Sequence, residues 1–279
     1  MAVNSFIPEV WTAKLLQSLK AKCVSEAGVN HDYEGEVMGA GSVKINTIGK
    51  VTLRDYTGAE IVYDDMSTTD QTLNIDREKV WALQLDDVDS AQVKNSGELM
   101  LKAIDEASNE VVADRDKANF KAMSDGAGVV IGDDTTPVSV TTPAEAKALV
   151  LKMKTKADKA NVPTEGRVLF AGPELENQLL ADTTINLATP TANDSLRAGY
   201  IGKLYGIELY SSNNMPVTAS DNAVAILTHK KFTTEAVQLN KTEALRSEKS
   251  FKDLVRGLCV SGRKVIMPEG VIKAVVNFQ

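Results

Sequence analysis

Histidine and cysteine are the residue types that most readily bind metals or act as nucleophiles, and this chain has only two of each. Neither His31 nor His229 lies in an HExxH motif, and neither Cys23 nor Cys259 belongs to a CxxC pair. A thiol nucleophile needs an activating base, and nothing near either cysteine in the sequence supplies one. We therefore expect two reduced thiols that pack as small apolar side chains, and we predict no metal and no cofactor.

Paired carboxylates are the other candidates for chemistry, because two of them can share acid–base work or bind calcium. Such pairs occur at 64–65, 86–87 and 133–134. Each pair lies beside turn-forming residues, where aspartate is favoured because it bonds to nearby backbone groups. We interpret the pairs as solvated turns. The chain has no GxSxG elbow and no GxxxxGK[ST] loop, so no motif predicts an enzyme.

The chain has 279 residues, with 31 Lys and Arg against 38 Asp and Glu, a formal net charge of −7. This acidic balance argues against a dedicated nucleic-acid-binding protein, in which basic residues gather on one face. No apolar stretch approaches the roughly 18–20 residues of a membrane span, and the first residues do not resemble a signal peptide. We expect an intracellular protein with two domains or one elaborate domain.

The first 30 residues indicate an N-terminal arm with one helix. Trp11, Leu15 and Leu19 recur every four residues, so they share one face of that helix. This apolar face either joins the core or docks on a neighbouring chain, and Gly28 ends the segment.

Residues 43–85 change to the alternation of apolar and polar side chains that is typical of strands. Between the two strand patterns, residues 54–72 carry too few apolar side chains to form a core. A long two-stranded excursion is only marginally stable alone, so it must lie against something else. It is either a surface loop or an arm that packs on another subunit.

Residues 96–123 predict the longest helix, which would span about 42 Å at 1.5 Å per residue. Asn95 and Glu98 provide a capping box, and the apolar stripe is narrow and rich in alanine. We expect the charged residues of the other faces to lie in solvent: Asp105, Glu106, Glu110, Asp114, Arg115, Asp116 and Lys117. The pattern indicates a strut that is covered on one side.

A second unit of mixed structure follows. Thr142, Pro143 and Glu145 form an N-cap, a first-turn proline and a capping box for a helix that runs to about residue 161. The other predicted elements are a strand at 168–170, a helix at 173–181, a loop at 183–198, and strands at 207–210 and 223–227. Strands then return at 254–260, 264–267 and 271–276, so we expect this unit to be inserted into a discontinuous first domain.

Short motifs along the chain occur in an order that resembles one protein family. The first half contains FIPEVW at 6–11, YEGE at 33–36, GSVKI at 41–45 and LDDVD at 85–89. The second half contains RAGYIG at 197–202, GIELYSSNNMP at 206–216, EALR at 243–246, VRGL at 255–258 and KVIMPE at 264–269. Together they resemble the Hong Kong 97-type major capsid proteins of tailed double-stranded DNA bacteriophages.

The resemblance implies an α+β fold of the Hong Kong 97 type in four parts. These are an N-terminal arm at 1–42, an extended E-loop hairpin at 43–85, a peripheral domain with a long spine helix at 86–130 and 232–279, and an inserted axial domain at 131–231. It implies a non-enzymatic subunit that assembles with itself into hexamers and pentamers of an icosahedral shell, in the host cytoplasm, around double-stranded DNA. The implied partners are a separate scaffolding protein, a portal and DNA contacted non-specifically, with no membrane.

One feature of that family has no counterpart in this sequence. Some members cross-link covalently through a lysine near the E-loop tip and an asparagine of a neighbour. No lysine lies between Val51 and Glu78, and Lys50 and Lys79 only flank the segment. We therefore predict a shell without this isopeptide bond.

Two segments of the chain carry opposite charges. Residues 51–78 have two arginines against seven carboxylates, a net −5, and residues 240–264 have seven cations against three carboxylates, a net +4. We predict that the acidic hairpin of one subunit lies over the basic peripheral domain of its neighbour; two unrelated solvated faces are the alternative. The predicted acidic contacts are Asp55, Glu60, Asp64, Asp65 and Asp70. The predicted basic contacts are Arg246, Lys249, Lys252, Arg256, Arg263 and Lys264, and the arm would dock through Trp11, Leu15 and Leu19.

Three other functions stay open at this point. An encapsulin-type shell would have the same fold around enzyme cargo, and a tail or adaptor protein would form rings. A hydrolase that uses Cys259 or an aspartate pair belongs to a different class.

Overall fold

The computed structural model describes residues 23–33, 41–48, 55, 68–86, 96–181, 199–248 and 250–278. Its helices are α1 (Ser96–Asp125), α2 (Pro143–Lys159) and α3 (Pro173–Ala181). Its strands are β1 (Ser42–Ile48), β2 (Thr68–Asn74), β3 (Arg77–Asp86), β4 (Val129–Ile131), β5 (Val138–Ser139), β6 (Arg167–Ala171), β7 (Tyr200–Leu204), β8 (Ile207–Ser211), β9 (Ala223–His229), β10 (Thr233–Arg246), β11 (Lys252–Val265) and β12 (Ile272–Asn277). Short 3-10 turns lie at Ser25–Gly28 and Pro268–Gly270.

The main core surrounds a sheet of seven strands in the order β4-β12-β9-β6-β8-β7, with β5 paired to one end of β12. Strand β6 is buried along its whole length, because α2 and α3 pack beside this sheet and the 3-10 turn at Ser25–Gly28 contacts β6. The predicted strands at 168–170, 207–210 and 223–227 all belong to it. The mixture of helices and sheets agrees with the predicted class.

Helix α2 forms where its sequence signals predict it. The Thr142 hydroxyl accepts a hydrogen bond from the backbone N–H of Glu145, the Glu145 carboxylate accepts from the N–H of Thr142, and Pro143 begins the helix. The face that packs on the sheet includes Leu149 and Met153, which are buried. Helix α3 also has its predicted bounds.

Strand β12, close to the C-terminus, lies inside the seven-stranded sheet. It pairs in parallel with β4 and antiparallel with β9. Ile272, Ala274, Val275 and Val276 are buried, so both faces of the strand are covered, which is typical of a central strand. The predicted boundary at 231 therefore separates β12 from strands to which it is hydrogen-bonded.

A second sheet has three antiparallel strands in the order β10-β11-β3. The ladder between β10 and β11 runs from Thr233 and Val265 to Arg246 and Asp253, with a bulge between Val237 and Leu239. Strand β3, which the sequence assigns to the extended hairpin, pairs with β11 along its whole length.

Strands β1 and β2 form a separate two-stranded ladder that lies across one end of the three-stranded sheet. Val43, Ile45 and Leu73 pack there against Ala236 and Ile266. The crossing is close because β11 has a glycine at this point: a Cβ at position 262 would lie 2.2 Å from the carbonyl oxygen of residue 74. The base of the predicted hairpin is thus held by the chain's own sheet.

Helix α1 has 30 residues and covers the other face of the three-stranded sheet. The long helix is confirmed, but the expectation that Arg115 and Asp116 lie in solvent is wrong. Asp116 is buried and the Arg115 side chain is only 12% exposed, because both contact the segment that precedes β1. No helix among the described residues is both long and apolar enough to span a membrane.

Candidate functional site

The three-stranded sheet has one face on α1 and one that remains largely exposed. Trp81, Leu85 and Val255 join the core cluster under α1 with Ile104 and Val112. Because side chains alternate along a strand, the residues between them point away from α1. This open face consists of Glu78, Val80, Ala82, Gln84, Asp86, Lys241, Glu243, Leu245, Lys252, Leu254, Arg256, Leu258, Val260 and Lys264.

An apolar stripe crosses the open face. Val80 is 68% exposed and pairs across the ladder with Leu258. Leu254 pairs with Leu245, which is also exposed. Phe251, in the turn between β10 and β11, is 80% exposed. Exposed apolar side chains that lie among charged ones on one face of a sheet are typical of a protein–protein contact.

Ion pairs interrupt and border this stripe: the Arg256–Glu243 pair lies between the Val80–Leu258 and Leu254–Leu245 pairs. The carboxylate of Glu243 accepts hydrogen bonds from Nε and Nη2 of Arg256 at 2.9 and 2.6 Å and also pairs with Lys241. These hydrogen bonds, from Lys241 and then Arg256, hold the pKa of Glu243 below its usual value. Lys252 lies 3.9 Å from Asp86. With four cations and three carboxylates, the open face carries almost no net charge.

A buried polar cluster occupies the other side of the sheet, where residues 23–31, here the anchor segment, lie against α1 and β10. The carboxylate of Asp116 accepts hydrogen bonds from the backbone N–H groups of Val24 and Ser25, at 3.2 and 2.9 Å, and from the thiol of Cys23 at 2.9 Å. Burial raises the pKa of Cys23 to about 12, so this thiol stays protonated and unreactive. Burial likewise raises the pKa of Cys259.

Glu235 of β10 is the centre of an ionic network within this cluster. Its fully buried carboxylate accepts from Nε and Nη2 of Arg115 at 2.9 and 2.7 Å, from Asn119 at 3.1 Å and from Arg263 at 3.3 Å. Burial alone would raise the pKa of Glu235, but the two guanidinium groups outweigh it and lower the pKa. Burial opposes the charge of Arg115, yet Glu235 keeps its pKa above the usual value. Arg115 also donates to Glu26 at 2.9 Å.

One group of three residues has the ligand types of a metal site. Glu26, His31 and Glu235 each offer a ligand atom, and these atoms lie within 4.8 Å of one another. However, Arg115 already donates to both carboxylates, and His31 Nε2 lies 2.7 Å from Glu26. A metal ion would therefore meet a buried guanidinium, and we assign none to this position.

The sequence matches the family model described as phage capsid protein over residues 71–274, nearly three quarters of the chain. The chain belongs to the phage capsid protein family. Its members build the virion capsid by self-assembly, so this chain is a structural protein of a phage shell and not an enzyme. No curated protein matches the sequence.

Solved structures agree with this family. A chain from Mycobacterium phage Che8 is 28% identical, with a TM-score of 0.70 over 99% of each chain. The capsid of Ralstonia phage GP4 has a TM-score of 0.67 at 11% identity and 92% coverage of each chain. A virus-like particle from Pyrococcus furiosus shares the fold, with a TM-score of 0.61 at 12% identity over 98% of this chain and 100% of that one.

The basic residues predicted as capsid contacts are divided between the two faces of the sheet. Lys252, Arg256 and Lys264 belong to the open face. Arg246 pairs with Asp253 and, by alternation, lies on the side of α1. Arg263 is directed to Glu235 and is only 11% exposed, so its charge is used inside the subunit. Lys249 lies outside the described residues.

The other predicted contacts of this capsid protein are only partly described. Asp55 and Asp70 are exposed. The remaining predicted residues lie outside the described part of the chain: Glu60, Asp64, Asp65, Trp11, Leu15 and Leu19.

One of the aspartate pairs can be compared with its prediction as a turn. The Asp133 carboxylate accepts from the backbone and hydroxyl groups of Thr135 and Thr136, and these hydrogen bonds lower the pKa of Asp133 to about 2. Asp134 accepts from Ser220 and Asn222 and so joins two loops. The prediction of a turn at 133–134 is confirmed.

Proposed function

We propose that the chain is the major capsid protein of a tailed phage, with the Hong Kong 97-type fold, and that it forms hexamers and pentamers of an icosahedral shell around double-stranded DNA. The proposal is carried by the match to the phage capsid protein family, together with a three-stranded sheet that leaves one face of apolar and charged residues exposed. The proposed parts are an arm at 1–42, an E-loop at 43–85, a peripheral domain at 86–130 and 232–279, and an axial domain at 131–231, with β12 of the C-terminal segment lying in the sheet of the axial domain.

The neighbour's E-loop is the proposed occupant of the open face. The chain's own β1–β2 ladder covers one end of this face, at Ala236 and Ile266, and the rest of its described side chains are exposed or half-buried. The part of the E-loop between β1 and β2, residues 49–67, carries both apolar and acidic residues, which suit the stripe and the cations Lys252, Arg256 and Lys264. Exposed ion pairs contribute about 0–1 kcal/mol each, so the apolar stripe supplies most of the attraction and the charges set the register.

Matched exposed valines test this contact. Val80 lies in the stripe, whereas Val217 is equally exposed at 63% but lies on the axial part of the chain. We expect Val80→Asp to lower the yield of particles, measured by electron microscopy and light scattering, because it places a carboxylate in a contact that must lose water. Val217→Asp should assemble as the unmodified chain does. Equal yields for the two variants would contradict the proposed docking.

Charge reversal tests the acidic partner. Asp55→Lys with Asp70→Lys should slow assembly at low salt and have less effect at high salt, where exposed charges are screened. The control changes the same number of charges at Glu165 and Glu269, two exposed acids outside the E-loop. If the E-loop variant assembles normally, the acidic and basic segments are better explained as two solvated faces that do not contact each other.

The shell is proposed to use a separate scaffolding protein and a portal, to contact DNA non-specifically and to assemble in the host cytoplasm. Electron microscopy of the purified chain is the deciding experiment: closed icosahedral particles support the proposal, and open rings or a compact monomer with enzymatic turnover contradict it. An encapsulin-type shell is the second candidate, because the fold is shared with a virus-like particle that is named after Pyrococcus furiosus and not after a phage. Nuclease-protected DNA in particles from an infected or induced host would exclude it, and enclosed enzyme without DNA would favour it.

A further inference from the structure

The anchor segment begins with a 3-10 turn, Ser25–Gly28, that lacks a cap of its own. Its N-cap residue is Val24, whose side chain cannot accept a hydrogen bond. The first N–H groups of such a turn need acceptors, and a nearby negative charge stabilises them further. Asp116 of α1 supplies both, since its carboxylate accepts from the N–H groups of Val24 and Ser25. The cap therefore comes from an element about 90 residues away in sequence.

Two further side chains of α1 fix the same turn. Nδ2 of Asn119 donates to the Ser25 hydroxyl at 3.0 Å, and Arg115 donates to Glu26. On the far side of the turn, the backbone of Asn30 forms a parallel bridge with β10. The anchor segment is thus bonded to α1 at its start and to β10 at its end.

Close packing against β6 fixes the position of the 3-10 turn at Ser25–Gly28. A Cβ at residue 28 would lie 2.6 Å from the ring of Phe170, so the glycine lets the turn lie directly on β6. Val29, which follows, is fully buried. A buried carboxylate is expensive unless it is fully hydrogen-bonded, and an apolar residue often serves stability equally well. We therefore interpret the aspartate at position 116 as setting the position of the anchor segment, and not only as stabilising the fold.

We propose that Asp116, with Arg115 and Asn119, positions the N-terminal arm: it fixes where the chain enters the anchor segment at Cys23, and so which part of a second subunit the residues before Cys23 can reach. This inference rests on the proposed function. Asp116 is a positioning residue, because it acts on the neighbouring subunit only through the anchor segment.

The substitution Asp116→Asn in the full chain tests the anchor itself. It removes the charge and presents an N–H₂ group to N–H donors, so we expect hydrogen exchange of the Val24 and Ser25 amides to rise about tenfold or more. Cys23→Ala removes the thiol that donates to Asp116 and contacts the Ser25 hydroxyl but leaves the carboxylate in place, so it is a milder second variant and should give a smaller rise in the same amides. The matched control is Asp105→Asn, at an exposed aspartate of the same helix. Exchange in Asp116→Asn equal to that in Asp105→Asn would overturn the anchor.

A double-mutant comparison of Asp116→Asn with Trp11→Ala tests the positioning role. A residue that only stabilises the body would show no coupling to an arm residue. If Asp116 acts through the arm, Trp11→Ala should lower the particle yield several-fold in the unmodified chain and have little further effect in Asp116→Asn. Independent, additive losses would show that Asp116 supports only the body, and would overturn the inference while leaving the proposed function intact. An unmodified chain that forms no particles even when it is produced together with its scaffolding protein would contradict the proposed function and the arm's role together.

Discussion

Replacing Glu235 by glutamine isolates the value of the buried ionic network. The substitution keeps the shape and one oxygen acceptor, but it removes the charge that faces Arg115 and Arg263. Loss of one partner from a buried ion pair costs about 3–5 kcal/mol, because the other charge stays buried without compensation. Glu26 still compensates part of the charge of Arg115, so we expect the lower end, about 3 kcal/mol.

The matched control lies on the same strand. Glu243 also accepts from an arginine and has a second cation nearby, but its pairs are exposed and screened by solvent, so Glu243→Gln should change the Tm far less than Glu235→Gln does. For a chain of this size, about 3 kcal/mol corresponds to a Tm lower by roughly 6–12 °C, which thermal unfolding of unassembled subunits at pH 7 resolves. A Glu235→Gln variant that unfolds at the same temperature as Glu243→Gln would refute the reasoning.

The pH dependence provides an independent check on the same residue. The pKa of Glu235 is lower in the folded chain than its ordinary value of 4.5. Its stabilisation is therefore complete above pH 4.5 and is lost as the pH falls through the lower folded value. The difference in stability between the unmodified chain and Glu235→Gln should be the same at pH 7 and pH 6, and should shrink only below about pH 4.5. A difference that already shrinks between pH 7 and pH 6 would show that another group is responsible.

Three further tests concern a glycine, a strained tyrosine and the segment 51–78. Gly257→Ala should destabilise the subunit by about 1–3 kcal/mol in urea unfolding, because the new Cβ would meet the indole of Trp81, whereas Gly41→Ala, in open space, should be nearly neutral. Tyr205→Asn should raise the Tm by a few degrees, because Tyr205 has φ of 52° at the first position of the β7–β8 turn, where asparagine is favoured. Boiling assembled particles in detergent should give a single monomer band, because no lysine lies within 51–78; a ladder of covalent oligomers would contradict this.

Local signals in the sequence were sufficient for part of the fold. The cap, the proline and the apolar face of α2 are all contained within about 20 residues, so the helix could be predicted with its contacts. Strand β10 was missed because its residues, TTEAVQLNKTEALR, do not alternate between apolar and polar and include several good helix formers. The place of β12 depends on partners at 129–131 and 223–227, which periodicity cannot identify.

The buried cluster could not be predicted from helix periodicity for a different physical reason. Arg115 and Asp116 are charged, and charged residues are seldom buried unless they are paired. Their partners lie far away in sequence, Asp116 with Val24 and Arg115 with Glu235. A helical pattern shows which residues share a face, but it does not show that a polar face meets complementary groups of another element. One feature of the sequence could have indicated this cluster: the helix has charged and amide side chains on the same face, and its apolar stripe is too narrow for its length.

Folding neutralises much of the charge pattern that the sequence shows along the chain. The basic excess at 240–264 is a property of the sequence, but folding pairs much of it with acids from the same sheet: Arg256 with Glu243, Lys252 with Asp86, and Arg263 with Glu235. The open face therefore carries four cations against three carboxylates and attracts an acidic hairpin only weakly at a distance. Because Glu243 already occupies Arg256, an incoming carboxylate must compete with an existing pair rather than neutralise a free charge. In the proposed docking, attraction would come mainly from the apolar stripe around Val80, and the charges would act by penalising wrong registers.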